Sequence, residues 1–386
     1  MIIDCDTHFM PKDAFDYVSG ALTGLRPILK FSDQGLLSDI KFPGEPARVP
    51  GTTPLPPPGS GAHYPGNSDM EVRLKDYERL GIDCQFILPQ FTGWWSYLIE
   101  PSLADALARS WNLSMLRLMR DYPKRVCGVA LVALQDVQGA IREMEWAHEN
   151  GFPAVALDHT YPVREHPYGE TLGSHRELWP FFERAEKLDM PIFLHAVQHG
   201  HRIVNLLLFQ HDGLDIFAPR EAQMNLVSLI TSGLLDDFPK LKFIHAEMGT
   251  KTIKSLTQRM DANFKQVTVS YEDDEATASG SRRRLGPKAP QLVPAHVANE
   301  KNKLPPSYYF KNNFYWTIET EEPELAEAIN YLGAEHFLFA TDYPHDDPGG
   351  RMKFNDVELL KANPDISESD KELIRWENAS GLFKLS

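Results

Sequence analysis

Residues able to do chemistry fall at the ends of short apolar runs in this chain. Asp6 and His8 lie two apart in "MIIDCDTH", and His195 falls near the end of "MPIFLHAV". His245 and Glu247 lie two apart in "LKFIHAEMG", and Asp342 and His345 close "HFLFATDYPH". On an extended strand, residues i and i+2 share a face. Asp6 is therefore expected to point with His8, and His245 with Glu247; Asp4 falls in the same alternation, earlier on its strand. A divalent cation needs a few nitrogen and oxygen ligands held rigidly, with one position open for water or substrate. Asp6, His8, His195 and Asp342 would supply two imidazoles and two carboxylates, a set that suits Zn²⁺, Mn²⁺ or Fe²⁺ better than Ca²⁺ or Mg²⁺. Any one of these fragments is also what a capped strand end looks like. Potential ligands on four separate strands, the first, fifth, sixth and eighth, point to a metal site.

Eight apolar runs could carry such residues: 1–8, 82–90, 125–134, 152–160, 190–197, 241–249, 313–320 and 336–345. Each is β-branched or aromatic-rich and too short for a typical helix. Apolar character on both faces suits a parallel sheet covered on both sides. Helical patterns lie between them, over 68–81, 102–123, 137–151, 176–189, 223–239, 322–333 and 367–385. The first has Ser68 as N-cap, Glu71 three residues on and Gly81 as its stop. Eight strands alternating with helices predict a (β/α)8 barrel of the TIM type in one domain. A doubly wound sheet competes, but no GxGxxG follows the first strand. Two segments interrupt the alternation. Residues 43–66 hold eight prolines and five glycines, and 272–307 are polar with a basic centre. Both read as long loops, and in a barrel the loops after strands build the active face.

Bulk properties exclude other classes. The 386 residues are 42% hydrophobic and 24% charged, which are globular values. The net charge of −15 would repel a phosphate backbone, and the run 281–284 is too small to reverse it. No apolar run reaches membrane-helix length, and no signal peptide is apparent. Cys5, Cys84 and Cys127 form no CxxC pair, which argues against a disulfide framework or a thiolate zinc site. A soluble cytoplasmic protein is expected.

The order of these motifs resembles the amidohydrolase superfamily. It is most similar to the amidohydrolase-2 group that includes aminocarboxymuconate-semialdehyde decarboxylase and γ-resorcylate decarboxylase. "RELWPFFERAEKLDMPIFLHA", "LLDDFPKLKFIHAEMG", "HFLFATDYPHDD" and "WENASGLFKL" carry the resemblance along nearly the whole chain. It implies one bound Zn²⁺ or Mn²⁺, with Asp6, His8, His195 and Asp342 as ligands. It also implies that His245 is a proton-handling group beside the metal. Two departures stand out. The first strand has DxH where many decarboxylases have HxH or ExH, and a DxH branch of the group has Glu at the position of Glu247. No Lys lies in 152–160, which argues against a two-metal site.

These readings lead to a metal-dependent, non-oxidative decarboxylase of an aromatic or unsaturated carboxylic acid. The alternative is a hydrolase of a C–N, C–O or activated C–C bond that uses metal-bound water; a binding protein without catalysis is a third reading. Asp342, His245 and Glu247 are the candidate proton-handling groups. Arg48 and His345 are candidates to meet the substrate carboxylate, and Trp94 and Trp316 to stack on a planar substrate. The expected partner is a small acid, with no nucleic acid and no membrane. A homodimer or larger homo-oligomer is implied by the resemblance.

Overall fold

The computed structural model describes residues 1–33, 35–41, 43, 64–89, 98, 100–163, 166–195, 212–272, 302–345 and 354–385. Eight parallel strands close into a barrel, and each coincides with one of the eight apolar runs, the first strand passing the end of its run by one residue, Phe9. They are β1 (Ile3–Phe9), β2 (Cys84–Pro89), β3 (Val126–Gly128, continued by Ala130–Leu131), β4 (Val155–Asp158), β5 (Ile192–His195), β6 (Phe243–Ala246), β7 (Phe314–Ile318) and β8 (Phe337–Phe339). Each pairs in parallel with the next. The ring closes just past β8, where the His8 N–H donates to the Tyr343 carbonyl at 2.7 Å and the Asp342 N–H to the Asp6 carbonyl at 3.1 Å. β1, β2, β4, β5 and β6 are buried along their whole length. Side chains fill the barrel on one face and meet the helices on the other.

Local chemistry sets the helix ends. Helix α1 (Met70–Leu80) is capped by Asp69, whose carboxylate accepts from the N–H groups of Glu71 and Val72, and it ends at Gly81 with φ 70°. The cap is therefore Asp69 and not Ser68, whose hydroxyl instead donates to the Gly35 carbonyl at 3.2 Å. The helical pattern expected over 223–239 begins earlier, at Asp212. It breaks at Gly233 (φ 82°) into Asp212–Thr231 and Leu234–Asp237. Among the described residues three α-helices lie outside the expected set, Ile253–Glu272, Pro306–Asn313 and Asp356–Ala362; the second starts inside the expected loop 272–307. A hairpin of Ile28–Phe31 and Leu37–Lys41 was likewise not legible as strands. Most of both expected loops, 44–63 and 273–301, lies outside the described residues.

β1 is irregular. Asp4 pairs with Gln85 and Thr7 with Ile87, so three steps on β1 face two on β2. This bulge breaks the alternation and corrects the expectation for Asp4. Asp4 turns toward the helix layer, where it accepts from Tyr77 Oη of α1 at 2.8 Å and from the Thr341 N–H at 3.0 Å. Asp6 and His8, beyond the bulge, both face the barrel interior. Below them, Phe86 and Phe193 approach to 6.2 Å across the barrel, and Phe383 of the C-terminal segment packs against both.

Candidate metal centre

The ends of β1, β5, β6 and β8 converge on one small volume. His8 Nδ1 lies 3.1 Å from the Pro89 carbonyl at the end of β2. A carbonyl only accepts, so Nδ1 carries the hydrogen and Nε2 presents a lone pair to the interior. That nitrogen lies 3.1 Å from Asp342 Oδ1, 3.5 Å from Glu247 Oε1 and 3.9 Å from Asp6 Oδ1. His195 Nε2 lies 3.7 Å from the same Asp6 oxygen and 3.2 Å from the same Glu247 oxygen. The second Asp6 oxygen accepts from Thr317 Oγ1 at 3.2 Å. Asp6, His8 and His195 are nearly inaccessible, whereas the Glu247 and Asp342 side chains are 26% and 24% exposed. The cluster opens to solvent on that side.

The donor set fits a divalent cation. Among the described residues, Asp6 Oδ1, His8 Nε2 and Asp342 Oδ1 are buried and make no aligned hydrogen bond, although His8 Nε2 lies close to both oxygens. Buried polar atoms are rarely left so. Atoms each about 2.1 Å from one ion stand about 3–4 Å apart, which is the spacing of His8 from Asp342 and Asp6 and of His195 from Asp6; His8 belongs both to the group with Asp6 and His195 and to the group with Glu247, Asp342 and His345. The clustered charges also shift the affinity of these groups for protons. Burial lowers the affinity of His8 for a proton, but Asp342 and Glu247 outweigh it and hold His8 well above the usual imidazole range. Burial opposes His195 in the same way, and Glu247 and Asp6 lift it to about 9. Burial raises Asp6 to about 6 against the pull of the two imidazoles. Glu247 ends well below the usual carboxylate range, because His195 and His8 overcome the effect of burial.

Asp342 sits just past β8 in the left-handed region, φ 52°. Its Oδ2 lies 2.9 Å from His345 Nδ1, and the His345 ring stacks on His8 at 4.4 Å between centroids. His345 is therefore at the site and holds Asp342 in orientation.

Of the two strand-six candidates, the structure brings Glu247 into the cluster and leaves His245 outside it. His245 pairs in register with Leu194 and Trp316, one residue out of phase with His195. Its ring stacks with His159, Phe314 and Trp316 in the layer between barrel and helices. Burial lowers its pKa to about 3, so it stays neutral. Glu247 reaches the interior because the strand stops at Ala246 and Glu247 takes φ 54°, which breaks the two-residue repeat. Trp316 also departs from expectation. It is 1% exposed and packs on Phe310 and Phe337, so it belongs to the core and does not stack on a substrate at the rim. Arg48 and Trp94 lie outside the described residues.

Several supporting residues gave no sequence signal. Thr317 is the last residue but one of an ordinary apolar strand, and the Pro89 contact is made by backbone. Arg73 reads as a surface residue of an amphipathic helix, yet it is fully buried against β1 and β2.

The comparisons with known proteins agree with this geometry. The model of the amidohydrolase family matches residues 3–385. The chain belongs to that family. γ-Resorcylate decarboxylase of Polaromonas sp. (strain JS666 / ATCC BAA-500) is 28% identical over 295 residues, covering 75% of this chain and 79% of the relative. 2-Amino-3-carboxymuconate-6-semialdehyde decarboxylase of Dictyostelium discoideum is 23% identical over 316 residues, 81% of this chain and 75% of the relative. Among solved structures, 5-carboxyvanillate decarboxylase from Sphingomonas paucimobilis superposes with a TM-score of 0.69 at 20% identity, over 100% of this chain and 99% of that one. Dihydroxybenzoic acid decarboxylase from Polaromonas sp. JS666, solved with manganese and the inhibitor 2-nitroresorcinol, gives 0.66 at 22% identity, over 100% and 97%. Both have the fold seen here. The candidate centre lies at the C-terminal ends of the strands, where active sites of TIM-type barrels are built. No helix among the described residues is long and apolar enough to cross a membrane.

Proposed function

We propose that this amidohydrolase-family protein is a metal-dependent, non-oxidative decarboxylase of an aromatic or unsaturated carboxylic acid. The observation that carries the proposal is the convergence of lone pairs from Asp6, His8, His195 and Asp342 on one volume at the barrel mouth. These four residues would hold one Mn²⁺ or Zn²⁺. The bound ion would supply a Lewis acid for the substrate's carboxylate or adjacent hydroxyl.

The chain's own groups then handle orientation and protons. Thr317 holds Asp6, and the Pro89 carbonyl holds the His8 ring. As the C–CO₂ bond breaks, its electron pair stays on the substrate carbon, which needs a proton. Asp342 is placed to deliver it, because Oδ2 faces His345 Nδ1 at 2.9 Å and the imidazole can restore the proton from solvent. The partly exposed sides of Asp342, His345 and Glu247 mark where the acid enters. The family likeness supports a homodimer or larger assembly, which light scattering would test.

The test is CO₂ release from a panel of hydroxybenzoates by Mn²⁺- or Zn²⁺-loaded protein, with loss of release in Asp342→Asn. If no panel member gives CO₂ while the loaded protein cleaves esters, lactones or diketones, the hydrolytic reading replaces this one.

A further inference from the structure

The four ligands do not exhaust the groups that meet at the centre. We propose that Glu247 is a fifth ligand of the divalent metal, so that the site is an oxygen-rich set of two imidazoles and three carboxylates. This rests on the metal-dependent reading above and extends it to a residue beyond the four.

Distance is the first argument. Glu247 Oε1 lies 3.5 Å from His8 Nε2 and 3.2 Å from His195 Nε2, whereas Asp6 Oδ1 lies 3.9 Å and 3.7 Å from the same two atoms. Glu247 is thus closer to both imidazole nitrogens than a carboxylate already counted among the ligands. The second argument is the orientation of the His8 ring. With Nδ1 held on the Pro89 carbonyl, Nε2 is the ring nitrogen that faces Glu247 Oε1, so a cation that takes the place of the Nε2 proton meets both atoms at once.

Third, the backbone is built to aim this carboxylate. β6 ends at Ala246, and Glu247 adopts φ 54°, a conformation that non-glycine residues rarely hold without support. The support is visible three residues on. Glu322 Oε2 accepts from the Thr250 N–H at 2.5 Å and from Thr250 Oγ1 at 2.6 Å, which anchors the turn from the far side. Fourth, among the described residues the ion pairs of this carboxylate are with the two imidazoles, and its other close neighbours, Asp342 and His345, belong to the same cluster of potential ligands. His345, also near the centre, differs in this respect, because its Nδ1 is committed to Asp342.

Three carboxylates around a dication leave a net charge of −1 on the centre. An anionic substrate would then add most readily by displacing one of them. Glu247 is the candidate for displacement, since it sits on a turn and is 26% exposed, while Asp6 is on a strand and 1% exposed.

The experiment measures metal binding and coordination directly, without turnover. Wild type, Glu247→Gln and Glu247→Asp are stripped and titrated with Mn²⁺ against a chelator, and the Co²⁺-substituted forms are compared by visible absorption. The expected result is a loss of Mn²⁺ affinity of about tenfold or more in Glu247→Gln. Its Co²⁺ band should shift, and Glu247→Asp should fall between the two. Near-ultraviolet circular dichroism of the stripped proteins establishes that the variants are folded. Should Glu247→Gln bind Mn²⁺ within about twofold of wild type and keep the same Co²⁺ spectrum, the ligand assignment fails while the metal-dependent reading stands. Failure of wild type itself to bind Mn²⁺, Zn²⁺ or Co²⁺ would overturn both.

Discussion

Arg73 donates through Nη1 to the carbonyl oxygen of His8 at 2.6 Å, so a helix side chain holds the backbone of a candidate metal ligand. The guanidinium is fully buried, donates through Nε to the Gln85 side chain and lies over the rings of Phe9, Tyr77 and Tyr343. Arg73→Met removes the donor from three buried acceptors, the Gln85 side chain and the carbonyls of His8 and Gly66. The expected loss is about 3–5 kcal/mol of stability, together with weaker metal binding as His8 is released. Arg73→Lys restores charge but not the planar fork, so it should recover only part of either. Thermal unfolding and chelator titration read the two effects; unchanged values in Arg73→Met would refute the role.

Metal affinity should rise with pH. His8 is held well above the usual imidazole range and His195 at about 9, so both carry protons at neutral pH until a cation replaces them. Binding should therefore release protons, and the dissociation constant should fall from pH 6 to pH 9. Folding of the metal-free protein has the opposite dependence. The raised imidazoles stabilise it fully below the unfolded value of 6.5 and cease to do so as pH passes through about 9. Calorimetry in buffers of different ionisation enthalpy counts the protons; zero release would contradict the assignment.

Trp316 is expected to matter for folding and not for substrate. Trp316→Ala should cost about 3–5 kcal/mol, while KM of the folded fraction changes less than about twofold. A tenfold rise in KM at unchanged Tm would return Trp316 to the substrate.

Both ring nitrogens of His245 are buried and, among the described residues, without a hydrogen-bond partner. Replacing such a group by an apolar ring of similar shape is near neutral or stabilising, by up to about 1 kcal/mol. His245→Phe should therefore keep its Tm and its metal affinity. Collapse of CO₂ release in a folded, metal-replete His245→Phe protein would show instead that this imidazole handles protons.

The chain itself determines the alternation of apolar runs and helices, because burial on both faces of a parallel strand writes a continuous apolar run. Seven of the eight barrel strands lie within those runs, and β1 passes its run by Phe9 alone. The placement of Asp6, His8, His195 and Asp342 near strand ends could also be read directly, since polar residues interrupting an apolar run are conspicuous. What tertiary structure decided is which way side chains point once that repeat is broken. The bulge in β1 turned Asp4 toward Tyr77, and the left-handed residue after β6 turned Glu247 inward while His245 stayed in the helix-facing layer. For Trp316, a strand apolar on both faces carries no polarity to tell barrel from helix side. Arg73 was equally hidden. A charged residue on a helix reads as solvated, and only the meeting of α1 with β1, β2 and the turn after β8 creates the carbonyl and aromatic faces that bury it.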